Sequence, residues 1–203
     1  MARFLSLLLI LSCLGAVPAV AEEKTAGELW VDDFEDGDLE SLLGRRWLPL
    51  TDQVVEGVSE VEVSVVATDG GKALAIQGEV KAGFSFPFAG GVTALGPKDR
   101  EPRDLGAYRA LRFRVRGDGN LYEVAVYRQA VEDHNDFRHR FVARSEWSEV
   151  TIPFADLRQS AFWGQRVPWG AEDLWGFGFQ SNSVGSFAFE IDDIRFVREL
   201  DGS

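Results

Sequence analysis

The sequence predicts an all-β fold, a sandwich or a barrel. Three observations carry that expectation. Period-two alternation of apolar and polar residues recurs along the chain, glycines punctuate the alternating runs, and helical periodicity is nearly absent. The 203 residues are 45% hydrophobic and 27% charged, the balance of a chain able to bury a core without disulfide staples.

Residues 1–21 read as a secretion signal. Arg3 supplies the positive start, residues 4–14 the apolar stretch, and Ala19-Val20-Ala21 a small-x-small cleavage site. That stretch is too short to span a bilayer. Leu11-Ser12-Cys13 loosely resembles a lipoprotein processing site, so lipid on Cys13 is the alternative. Cleavage after Ala21 leaves no cysteine, which suits an exported, oxidising compartment, periplasmic or extracellular. Residues 22–203 then form a single β-sandwich domain.

The first strand is expected within VDDFEDGD (31–38), carrying Asp33 and Glu35, and residues 39–43 read as a short helix ended by Gly44. Val61, Val63 and Val65 alternate with Glu60, Glu62 and Ser64, and Asp69-Gly70-Gly71 turns the chain into a strand over 73–77. Residues 95–106, charged and holding two prolines, read as the longest loop.

Asp118-Gly119 is a two-residue hairpin signal. Centring the turn there pairs Val115 with Tyr122, Phe113 with Val124 and Leu111 with Val126 on a core face. The other face pairs Arg114 with Glu123, Arg112 with Ala125 and Ala110 with Tyr127. A third strand over Phe137–Val142 extends that polar face with Arg138 and Arg140, or with His139. On the last strand Phe187, Phe189 and Ile191 share a parity with Asp193, while Ile194 and Phe196 have the opposite one. Either Asp193 points inward, which requires a partner or a metal, or a bulge lies at Asp192-Asp193.

Composition excludes several functions. The formal net charge of −12 argues against nucleic acid and anionic membranes, which select basic patches. One Cys and two His rule out a Cys/His zinc cluster. No nucleophile elbow, phosphate loop, His-Glu-x-x-His or dinucleotide fingerprint occurs, and neither His134 nor His139 has a nucleophile or orienting acid at a telling spacing. The chain reads as a non-enzyme with no catalytic residues.

Five segments together resemble the complex I intermediate-associated protein 30 family. They are AGFSFPFAGGVTALGP (82–97), DLGAYRALRFRV (104–115), RGDGNLYEV (116–124), EWSEVTIPFADL (146–157) and GSFAFEIDDIRFV (185–197). The resemblance implies a galactose-binding-like jelly-roll β-sandwich, related in shape to family 11 carbohydrate-binding modules. It also implies a chaperone-like assembly role. An export signal departs from the matrix-side setting of the mitochondrial member, so the fold transfers better than the job. Related jelly rolls hold a structural calcium with acids from the first and last strands, here Asp33, Glu35 and Asp193.

Two functions follow as expectations. The first is an exported assembly factor that binds an envelope or membrane-associated protein complex. The alternative is a carbohydrate-binding module. The expected ligand-binding residues are Arg112, Arg114, Glu123, Tyr127, Gln129 and His139 on the polar hairpin face, with Trp163 and Trp169 from the tryptophan-rich loop. Trp147 and Trp175 read as core.

Overall fold

The computed structural model describes residues 27–200; the expected signal, with Cys13, lies outside them. Eleven strands follow in order: β1 Leu29–Asp32, β2 Leu48–Thr51, β3 Glu60–Thr68, β4 Gly71–Val80, β5 Ala89–Ala94, β6 Ala110–Gly117, β7 Leu121–Arg128, β8 Phe137–Val142, β9 Ser148–Pro153, β10 Leu174–Ser181 and β11 Gly185–Val197. They form two antiparallel sheets. One runs β3-β4-β11-β6-β9, with β1 also on β11; the other runs β2-β5-β10-β7-β8. This is the expected jelly-roll sandwich, and among the described residues no helix is long and apolar enough to cross a membrane.

The core lies between the sheets because each strand turns one parity inward. Leu111, Phe113 and Val115 face Tyr122, Val124 and Val126, as the alternation predicts, and all six are buried. Their pairing is different from the expected hairpin. β6 bonds β11 and β9, whereas β7 bonds β10 and β8. The Asp118-Gly119 turn therefore carries the chain from one sheet to the other. Alternation identifies the inward residues, but two strands that face each other across a core show the same alternation as two that share a ladder.

Asp118 holds this corner. Its carboxylate accepts from Asn120 N at 3.0 Å, from Tyr122 Oη at 2.8 Å and from Ala188 N at 3.1 Å. Burial pushes the carboxyl up, but these hydrogen bonds outweigh it and hold the group below the usual range. Gly119 sits at φ 86°, the left-handed region that favours glycine.

Three local expectations change. Residues 39–43 are not helical: Glu40 bridges Arg46, and Gly44 makes a turn at φ 70°. β1 ends at Asp32, so Asp33 and Glu35 lie beyond it. On β11 the register shifts between Asp192 and Arg195, and Asp193 stands at φ 52°. That is the bulge, and it brings Ile194 and Phe196 inward after Phe187, Phe189 and Ile191.

Candidate functional site

The outer face of the five-stranded sheet gathers groups suited to a ligand. Its floor follows from register: Gly176 and Gly178 on β10 lie opposite Tyr127 and Ala125 on β7, and Gln180 lies opposite Glu123. On the other side Gly90 lies opposite Gln180. Directly opposed residues in antiparallel strands share a face, so Gly90, Gly176, Gly178 and Ala125 give this face a low floor, buried among taller neighbours that include Val92 opposite Gly178 and Arg138 opposite Ala125.

Aromatic rings stand at one end. Trp175 stacks on Tyr127 with centroids 4.9 Å apart and planes 20° apart, and the Arg100 guanidinium lies 5.3 Å from the Trp175 centroid. The register shift between Leu174 and Gly176 turns Trp175 outward. The sequence expectation placed Trp175 in the core as a large aromatic between the sheets; it shares parity with the inward Phe177 and Phe179, and a one-residue bulge reverses that. Burial holds the Tyr127 phenol well above its usual range, so it stays a neutral hydrogen-bond donor.

Polar groups stand at the other end. Glu123 accepts from Arg138 Nη1 at 2.9 Å and lies 3.7 Å from Arg140 Nε. Gln180 Nε2 reaches Glu123 Oε1 at 3.5 Å and Asn182 Oδ1 at 3.2 Å. Arg138 also lies 3.9 Å from Asp136, whose carboxyl is raised by burial. Four residues of strand separate Tyr127 from Glu123, about 13 Å. A carboxylate, an amide and two guanidinium groups offer both donors and acceptors, and the rings offer an apolar face. No nucleophile–base pair accompanies them.

The expected site residues divide. Glu123 and Tyr127 lie on this face. Arg112 and Arg114 do not, because β6 belongs to the other sheet and they face the opposite side of the sandwich. There Arg112 Nε donates to Thr151 Oγ1 at 3.0 Å, and Arg114 Nη1 lies 3.5 Å from Asp193 and 3.7 Å from Asp192. The expected Arg114–Glu123 pair is therefore replaced by Arg138–Glu123. His139 lies opposite Val124, on the parity of the core, with Nδ1 3.4 Å from Asp156 O at the sheet edge. Gln129 is exposed past the end of β7 and donates its backbone N–H to Asp173 O at 3.0 Å.

The tryptophans divide too. Trp169 packs on Phe137 at 4.9 Å and Phe154 at 5.2 Å, as part of the core margin. Trp163 is exposed and stacks on the exposed Phe86 at 6.3 Å, joining the loops that lead into β10 and β5. Trp147 is outside the core, with Arg114 and Arg116 each about 5 Å from its ring. The fully buried tryptophan is Trp47, against Phe34, Phe177 and Phe179. Sequence alone gave no sign of it, since no alternating run surrounds it.

The expected calcium acids are engaged by protein groups. Glu35 Oε1 accepts from Lys72 N at 3.0 Å, Asp193 lies against Arg114, and Asp33 stands next to the buried Asp32, whose two oxygens accept from Phe34 N and Trp47 Nε1. Among the described residues no three Asp, Glu, His or Cys side chains gather for a metal ion.

The model of the complex I intermediate-associated protein 30 family matches residues 33–191. Endoglucanase 3 of Fibrobacter succinogenes is 25% identical over 186 residues, covering 84% of this chain; the chain spans only 26% of that enzyme's length. A family 11 carbohydrate-binding module from Clostridium thermocellum, solved with a β-1,3-1,4-mixed-linked tetrasaccharide, superposes with a TM-score of 0.67 at 18% identity, covering 87% of this chain and 98% of that module. A family 30 module of a cellulosomal cellulase of Clostridium thermocellum gives 0.59 at 15% identity, covering 85% and 98%. The two structures share the fold of this chain.

Proposed function

The chain belongs to the complex I intermediate-associated protein 30 family, and from that premise we propose that it is a non-catalytic, exported binding protein whose ligand is a glycan. The observation that carries this reading is the low, small-residue floor between the Trp175–Tyr127 rings and the Glu123–Arg138–Gln180 group. An extended sugar chain needs a flat path, an apolar face for its ring hydrogens and paired donors and acceptors for its hydroxyls. The site supplies all three, and its length exceeds one sugar ring. Arg100, exposed over Trp175, would line the entering chain. The partial identity to an endoglucanase supports a β-glucan as the class.

The test is calorimetric titration with a mixed-linkage β-glucan oligosaccharide. Saturable binding is expected, with Trp175→Ala weakening it at least about tenfold, in the range of a lost ring contact. Glu123→Gln should weaken it less. No new reducing ends should appear on prolonged incubation. Titration without heat against a panel of glucans, or equal affinity in Trp175→Ala, would sink the proposal.

The family description favours a second reading, an assembly factor for an envelope or membrane-associated protein complex. It would be preferred if one complex were recovered on an affinity column at a yield unchanged by competing glucan. Arg112 and Arg114 are poor probes of that reading, since both are committed to intramolecular partners.

A further inference from the structure

Five strands have a ladder partner on one side only: β1, where Leu42 N donates to Val31 O at 2.9 Å, and the four that end the two sheet paths, three of which carry devices that block further pairing. β2 has four residues and contains Pro49; β9 ends on Pro153; β8 is capped where Arg158 bridges Arg138. The fourth, β3, has nine residues, pairs with β4 from Glu60 to Thr68 without a register shift, and contains neither Pro nor Lys. Among the described residues no strand pairs with its other edge. A long, flat edge without Pro or Lys offers a row of main-chain donors and acceptors with which another extended segment can pair.

The surroundings define that segment. β2 lies against β3 across the two layers, and a groove of about 430 Å³ between them is lined by Pro49, Thr51, Gln53, Val54, Glu60 and Val61. Val54 in its lining is exposed, as are Val55 and Val58 in the same connection between β2 and β3. Val61, Val63 and Val65 point toward the core side, half-buried, while Glu60 and Glu62 point outward, next to Glu79 on β4. Lys81 is the cation beside Glu60, at 2.7 Å.

We propose that the free edge of β3 takes up an extended strand of another protein, a segment in which aliphatic and basic residues alternate. Alternate side chains of the added strand fall beside Val61, Val63 and Val65, where aliphatic groups extend the core. The intervening ones fall beside Glu60 and Glu62, where Lys or Arg is attracted and acids are repelled. Charge also argues against a second copy as the occupant, since each chain carries a formal −12. The proposal is independent of the glycan reading, which uses the opposite sheet.

The probe is a capped synthetic peptide of alternating Lys and Val, added to the full chain. Saturable binding is expected by fluorescence anisotropy, together with slowed amide exchange at alternate residues of β3. Glu62→Lys should weaken binding about tenfold or more while leaving the melting temperature unchanged, and Glu62→Gln should be intermediate. Methylation of alternate peptide nitrogens, which removes donors and keeps charge, should abolish binding. Binding that survives methylation would reveal mere charge adhesion and overturn the proposal. Exchange protection outside β3 would overturn it, as would a β3–β3 dimer that ignores the peptide.

Discussion

Asp32 is nearly inaccessible, at 1% exposure, yet both its oxygens are used: Phe34 N donates at 3.0 Å and Trp47 Nε1 at 2.9 Å. Burial is the larger influence and raises its pKa from 3.8 to about 6, against the pull of those two hydrogen bonds. The folded protein therefore keeps this proton over a range where the unfolded chain has lost it. The stabilisation is fully present below pH 4 and is lost as pH rises through about 6. A shift of that size corresponds to about 3 kcal/mol. Urea unfolding at pH 4 and pH 7 should thus show a larger loss in the native chain than in Asp32→Asn, which cannot titrate. Parallel pH profiles of the two proteins would refute the assignment. The same carboxylate anchors the only fully buried tryptophan among the described residues, so Asp32→Asn should also perturb near-ultraviolet circular dichroism.

The corner between β6 and β7 shows what a strand-level reading reaches and where it stops. Inward parity was legible: Leu111, Phe113, Val115, Tyr122, Val124 and Val126 are core because polar residues separate them. Sheet membership was not, because a Gly-containing two-residue turn serves a hairpin and a crossover alike. That single ambiguity moved Arg112 and Arg114 to the far side of the molecule and left Glu123 and Tyr127 as the expected hairpin residues on the candidate face. The Phe137–Val142 strand, by contrast, was read with its exact bounds, and its Arg138 and Arg140 supply the partners of Glu123. Trp175 escaped because a bulge cancels alternation locally, whereas the bulge at Asp193 was legible from the parity change between Ile191 and Ile194. The crossover has a cost that can be measured. Asp118→Ala removes acceptors for Asn120, Tyr122 and Ala188 together. The unpaired groups should reduce stability by about 2 kcal/mol. Tyr122→Phe alone should cost about 1 kcal/mol. Equal stability of Asp118→Ala and the native chain would show that the turn backbone suffices.

Over the whole molecule, the beginning and end of the described chain are tied into one layer and one core. β1 pairs with β11, Leu29 opposite Phe196 and Trp30 opposite Arg195, and β11 lies between β4 and β6 at the centre of its sheet. Val31 and Phe34 are inaccessible, so this first segment helps to fill the space between the sheets. The two outer faces are thereby held by the same interior: one carries the glycine floor and its rings, the other the Arg-carboxylate pairs of β6, β9 and β11. A chain lacking residues 1–36 tests that unity. It forfeits two buried apolar side chains at about 1.5–3 kcal/mol each. It also leaves the Trp47 N–H buried without Asp32, worth about 1–3 kcal/mol. Together with the lost β1–β11 ladder, that matches the 5–15 kcal/mol by which typical domains are stable. The shortened chain should lack the cooperative thermal transition and the near-ultraviolet signal of Trp47. Val31→Ala alone, costing about 2–3 kcal/mol, should still fold with a lower urea midpoint. If the shortened chain melted at the native temperature, β1 would be an appendage, and the core would have to close without it.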